Sequence, residues 1–353
     1  MEDIVGQGSD DAAFATFVAS WRATLDRRVE QVRRALSDVD GLSAAVLAGS
    51  LGRGEPWPLS DIDLVLIAVD GQEDDIRAAV ERIGRGLSAS WSREGWWTGV
   101  DAGRLLFAVS EVGPVLAGTS ATVTALGDPR WFHTLDKAFQ GRAIVDDDQH
   151  RGERLAAWAT ATRFRPDVVA VRIRQHRAAT SEAVAEVERA WEAGDLLAGT
   201  IALWRAIQLT QITLMERWGL RDNSLGRFGT RFARAAAEHG VPDVVTRLDA
   251  IVGLDQSTLD RRWASVPDWV RLRHDRSFRA RRGVGDAVSA DADCRDTVRV
   301  CSVYAARGRA GGPGGAAPAW LGIAADDREL AARLSRLVEA LDEIEPILTI
   351  TVS

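Results

Sequence analysis

The 353-residue chain is 46% hydrophobic and 27% charged, which excludes a disordered or collagen-like polymer and allows one large domain or two. Its 44 basic and 51 acidic residues leave a formal charge of −7, which argues against nucleic acid as a partner and favours a cationic small molecule. No run of eighteen uncharged apolar residues occurs, and Met1-Glu2-Asp3-Ile4 lacks a signal-peptide pattern, so no membrane partner and a cytoplasmic location are expected.

Phe14, Phe17, Val18, Trp21, Leu25, Val29, Val32 and Leu36 recur at helical spacing and predict a helix over 11–37. Val46–Ala48 reads as a short buried strand. Leu51–Ser60 reads as a loop with a short helix. Asp61–Val69 is apolar after its acids and is expected to be a central strand. Glu73–Leu87 has the pattern of an amphipathic helix. Ser88–Trp97, Arg104–Ser110 and Thr119–Leu126 read as strands, and Trp131–Phe139 as a helix. Gln140–Val145 leads into the acidic turn Asp146–Asp148.

Beyond residue 151 the pattern turns helical. Leu196–Trp218 is expected to be a buried helix, and Asp222-Asn223-Ser224 to cap a helix over Leu225–Glu238. Val244–Leu254 and Asp326–Ile344 complete the series. Gly311-Gly312-Pro313-Gly314-Gly315 marks a loop within the Gly/Pro-rich stretch at about 307–319. The expected organisation is an α/β (α+β) domain with a mixed sheet over 1–148, then a mostly helical domain over 151–353. Cys294 and Cys301 are too few for a disulfide framework or a zinc site and are expected to be reduced thiols.

The chemistry concentrates near residue 60. Gly49-Ser50 closes one apolar run, and Asp61-Ile62-Asp63 opens the next. Asp61 and Asp63 lie two apart in a strand, so both carboxylates leave the same face. Like charges so placed call for a cation between them, and Mg²⁺ is usually held by one or two carboxylates together with substrate phosphates. A Gly-Ser turn lets backbone N–H groups approach a phosphate.

Gly49-Ser50-Leu51-Gly52-Arg53-Gly54 followed by Ser60-Asp61-Ile62-Asp63-Leu64 resembles the signature of the DNA polymerase beta-like nucleotidyltransferases, in particular the small bacterial members that modify antibiotics and other small molecules. The resemblance implies a nucleotidyltransferase fold over the first domain. It also implies Mg²⁺, as one or two ions on Asp61 and Asp63, and an NTP, ATP foremost, held by Gly49, Ser50 and Arg53. The implied reaction is transfer of a nucleoside monophosphate to a hydroxyl of a small-molecule acceptor, with release of pyrophosphate. Relatives complete the acceptor pocket with the helical domain, and some do so as homodimers. Two other readings accompany it: a protein adenylyltransferase of toxin–antitoxin type, and an inactive nucleotide-binding regulatory module. A third carboxylate is expected of the family, and Asp101 and Glu111 are the candidates, with Asp101 preferred.

Three further features read as structural. The eight arginines between Arg261 and Arg282 suggest a solvated helix face. Trp57, Trp91, Trp96 and Trp97 read mainly as core, one of them being free to stack on a base or acceptor. Lys137, the single lysine, reads as coding bias.

Overall fold

The computed structural model describes residues 11–94, 96–221, 225–308 and 318–349. The expected Asp222-Asn223-Ser224 cap and the Gly311–Gly315 loop lie outside them. The chain forms an N-terminal mixed-sheet domain and a largely helical C-terminal region. Two compact units carry them, Met1–Val171 with Arg279–Ala287, and Arg172–Phe278 with Val288–Ser353.

In the first unit, α1 (Asp11–Ser37) precedes β1 (Leu42–Leu47), the one-turn α2 (Gly49–Gly52) and β2 (Ile62–Ala68). Next come α3 (Glu73–Arg93), β3 (Val100–Asp101), β4 (Leu106–Ala108), α4 (Val109–Ala117), α5 (Thr119–Ala125), α6 (Pro129–Lys137), β5 (Arg142–Val145) and α7 (Arg151–Thr162). β2 is central and every one of its residues is buried. It pairs antiparallel with β1, and β3 and β4 follow one another in parallel along its other side. β5 joins the far side of β1.

Strand alternation assigns the two faces of the sheet. Leu47, Ile62, Leu64 and Leu66 pack with Leu25, Val32, Ile76, Val80 and Trp91 of α1 and α3. Val46, Val65 and Ile67 pack with Phe107, Val112, Trp131, Leu135 and Leu155. Asp63 shares the odd-numbered parity of Val65 and Ile67, so it leaves β2 on the side covered by α6.

Two expected strands are helical instead. Ser88–Arg93 continues α3, because Ile76, Val80, Gly84 and Trp91 are buried at helical spacing and the Trp91 indole N–H donates to Gln31 Oε1 at 2.7 Å. Thr119–Ala125 is also a helix, entered from extended Gly118, whose carbonyl accepts from the Thr122 hydroxyl at 3.2 Å. In both segments packing surroundings decide over local preference.

The second unit takes in α8 (Pro166–Glu192) from Arg172 onward and α9 (Leu196–Arg217). It continues with α10 (Phe228–Glu238), α11 (Pro242–Ile251), α12 (Gln256–Ala264), α13 (Asp268–Gly283) up to Phe278, α14 (Ala290–Arg307) and α15 (Asp327–Thr349). As expected, α9 is largely buried. Arg172 donates from Nε to Glu216 Oε1 at 2.8 Å, with both side chains at most 3% exposed. Removing one member of a buried pair strands the other charge. Glu216→Leu is therefore expected to cost about 3–5 kcal/mol in urea unfolding, more than a typical point substitution.

The arginine run does not form one solvated face. Arg261, Arg271, Arg273 and Arg282 are exposed, but Arg262 and Arg281 are buried at 4% and 1%. Both cysteines are buried free thiols, pushed up to about 11 by burial.

Candidate functional site

The β1–α2–β2 turn positions the expected residues. Gly49 adopts φ +61°, and a Cβ there would stand 1.8 Å from Asp63 Oδ2. The carboxylate of Asp63 thus occupies the space that the absent side chain leaves. Ser50 Oγ lies 2.9 Å from Ser60 Oγ, which accepts from Trp57 N–H at 3.0 Å, so a hydroxyl chain ties the loop closed. The Arg53 side chain is 2% exposed, with Nε 3.5 Å from Glu55 Oε2; it is folded into the loop.

Asp61 is exposed and Asp63 is buried. The sheet register pairs Asp63 with Asp101 across the parallel β2–β3 ladder, and Ile62 with Val100. Side chains at paired positions leave the same face. Asp101 therefore stands beside Asp63, giving three acids, Asp61, Asp63 and Asp101, at one corner. Glu111 does not join them. Its Oε2 accepts from Ala108 N–H at 2.8 Å at the start of α4, and its Oε1 accepts from Arg130 at 2.6 Å. Those hydrogen bonds, Arg130 first, hold its carboxyl below the usual range. Glu111 is a capping residue, which corrects its candidacy as a third acid.

Lys137 joins the site although no local motif marks it. It ends α6, which Trp131 and Leu135 seat against the sheet, and its Nζ donates to Asp63 Oδ1 at 2.6 Å. Burial would lower the ammonium pKa, but Asp63, with Asp61 and Asp101 in support, raises it above its ordinary value. The one lysine is the internal counter-ion of the acidic corner, a role that replaces its reading as coding bias.

Burial, then the charge of Asp61, pushes the Asp63 carboxyl up to about 6 despite Lys137. An unfolded aspartate titrates near 4. Between those values the folded chain holds the extra proton, so the contribution of Asp63 to stability falls as pH rises from about 4 to about 6 and stays reduced above. Asp63→Asn removes that penalty. Its urea midpoint is expected to exceed that of the parent at pH 8, by about 1–3 kcal/mol in stability, with the gap closing towards pH 4.

The acids are hard oxygen donors, the chemistry that Mg²⁺ selects. Three ligand atoms within 4.8 Å of one another occur, among the described residues, only at Asp146, His150 and Glu153. There Asp146 already accepts from Gly152 and Glu153 N–H at 2.7 and 3.1 Å in the first turn of α7. At the Asp61–Asp63–Asp101 corner the Lys137 ammonium already holds Asp63 Oδ1 at 2.6 Å, so a divalent ion there would compete with it.

Of the tryptophans, Trp91 is buried and Trp96 packs on Phe14 at 4.7 Å. Trp97 is 40% exposed. A Cβ on Gly99 would meet the Trp97 ring at 2.9 Å and the Asp61 Cβ at 3.6 Å, so the open indole and Asp61 flank the same glycine. Arg28, buried on α1, holds this segment by donating to Trp96 O at 2.6 Å and to the Thr98 hydroxyl.

No protein-family model and no curated protein sequence matches the chain.

Proposed function

We propose that the chain is a Mg²⁺-dependent nucleotidyltransferase that moves a nucleoside monophosphate, AMP from ATP, onto a hydroxyl of a small molecule and releases pyrophosphate. One observation carries the reading: Gly49 gives up its side-chain space to Asp63, while the sheet register sets Asp101 beside it and Asp61 two residues before it. A turn glycine packed on a carboxylate, beside two further acids, suits a triphosphate brought up against bound metal. The mixed sheet followed by a helical region accords with the domain order of the family that the Gly-Ser and Asp-x-Asp pattern resembles.

Asp61 and Asp63, with Asp101, would hold Mg²⁺, which when bound neutralises the triphosphate and lowers the pKa of the attacking hydroxyl. Lys137, released from Asp63, would then meet phosphate oxygens. The open face of Trp97 offers a stacking surface to a base or a flat acceptor. The acidic corner favours a cationic acceptor.

The Lys137–Asp63 contact also favours a second reading, a nucleotide-binding module without turnover, since the ammonium already neutralises the acid that a metal would use. An intact-mass screen of hydroxyl-bearing acceptors with each NTP and Mg²⁺ separates the two. A gain of one nucleotide mass on an acceptor supports transfer. Saturable ATP binding without any mass gain supports the module.

A further inference from the structure

The helical unit contains a cavity of its own, about 700 Å³ including its open mouth, walled by Trp204, Ile207, Phe228 and Val300. Three arginines, Arg262, Arg299 and Arg307, line it, and among the described residues no carboxylate does. That charge runs opposite to the −7 of the whole chain.

Arg262 is 4% exposed. Its Nε donates to Trp320 O at 2.9 Å and its Nη1 to Val252 O and Gly253 O, both at 3.0 Å. Nη2 donates to Ser302 Oγ at 2.7 Å and Leu321 O at 3.0 Å. All five donors are met, but every acceptor is neutral, so the guanidinium is fixed and its charge is not cancelled. Arg299 pairs with Asp249 at 2.5 Å and donates to Gln211 at 3.1 Å. Its Nε is buried and meets no acceptor among the described residues. Buried charges and donors of this kind are normally matched.

We propose that this cavity binds an amphipathic monoanion, a carboxylate on an apolar body, with its charge towards Arg299 and Arg307 in the field of Arg262 and its body against Trp204 and Phe228. The site lies wholly within the helical unit and is independent of the transfer reaction. Its walls are mostly apolar with a few polar groups, the make-up of a small-molecule pocket. Tyr304, the single tyrosine, stands at 44% exposure along the lining, and Arg307 is also exposed. Both can be changed without touching the core.

Calorimetric titration of the full chain with octanoate, 1-octanol and octylammonium tests this. Octanoate is expected to bind one to one, at least about tenfold tighter than either eight-carbon partner. Tyr304→Glu and Arg307→Glu, melting as the parent does, are each expected to weaken octanoate at least about tenfold and octanol by much less. No octanoate binding, octanol or octylammonium binding as tightly, or unchanged octanoate affinity in both variants would overturn the proposal.

Discussion

Asp61→Ala is expected to lower Mg²⁺-dependent pyrophosphate release by about two to three orders of magnitude or more, the scale of losing a group that meets developing charge in the transition state. The variant is informative because Asp61 is exposed and raises the proton affinity of buried Asp63. Removing it relieves repulsion at Asp63, so the fold should be as stable as the parent or more so at pH 8. Activity falls while the urea midpoint holds or rises, which separates a chemical role from a structural one. Asp63→Ala should be as inactive, but it also deprives Lys137 of its partner at 2.6 Å and so perturbs the corner twice. Pyrophosphate release by a coupled assay, with urea unfolding of the same samples, checks both.

Gly49→Ala is expected to be equally inactive for a different reason. The residue sits at φ +61°, and the new Cβ would fall 1.8 Å from Asp63 Oδ2. The left-handed backbone alone costs a non-glycine residue about 1–2 kcal/mol. The overlap then forces the carboxylate out of its place. Gly54→Ala is the control, since Gly54 has φ +73° and open space where its Cβ would go. Gly54→Ala pays the backbone term and keeps activity, whereas Gly49→Ala pays that term and loses activity. Equal activity in the two variants would mean that the Gly49–Asp63 contact positions nothing.

The sequence carried the centre of this arrangement and not its edges. β2 was legible because a strand buried on both faces is an unbroken apolar run, and the spacing of Asp61 and Asp63 put both on one face. Asp101 was preferred over Glu111 from sequence, but no local pattern decides between them. The choice rests on the Asp63–Asp101 register, a contact made by sheet pairing and not by local pattern. Lys137 comes from a helix 74 residues beyond Asp63, so no motif joins them. A signal was present all the same: in a chain whose other basic residues are arginines, the one lysine departs from the compositional habit. An ammonium is a compact point charge, suited to a corner too tight for a planar guanidinium. The helical form of Ser88–Arg93 was hidden because tryptophan and serine have no strong helical preference, and packing between α1 and α3 decides the matter. Arg262 and Arg281 were hidden in an arginine-rich run because composition does not say which guanidinium finds carbonyls or a carboxylate inside.

On the proposed reading Asp61, Asp63 and Asp101 take up a divalent ion together with a nucleoside triphosphate. The most direct test of that reading is calorimetric titration of ATP into the parent chain and Asp63→Asn, each with Mg²⁺ and with excess chelator. Saturable binding that needs both Mg²⁺ and Asp63 is the predicted result. ATP binding of the same affinity in all four titrations, or none in the parent with Mg²⁺ present, would contradict it.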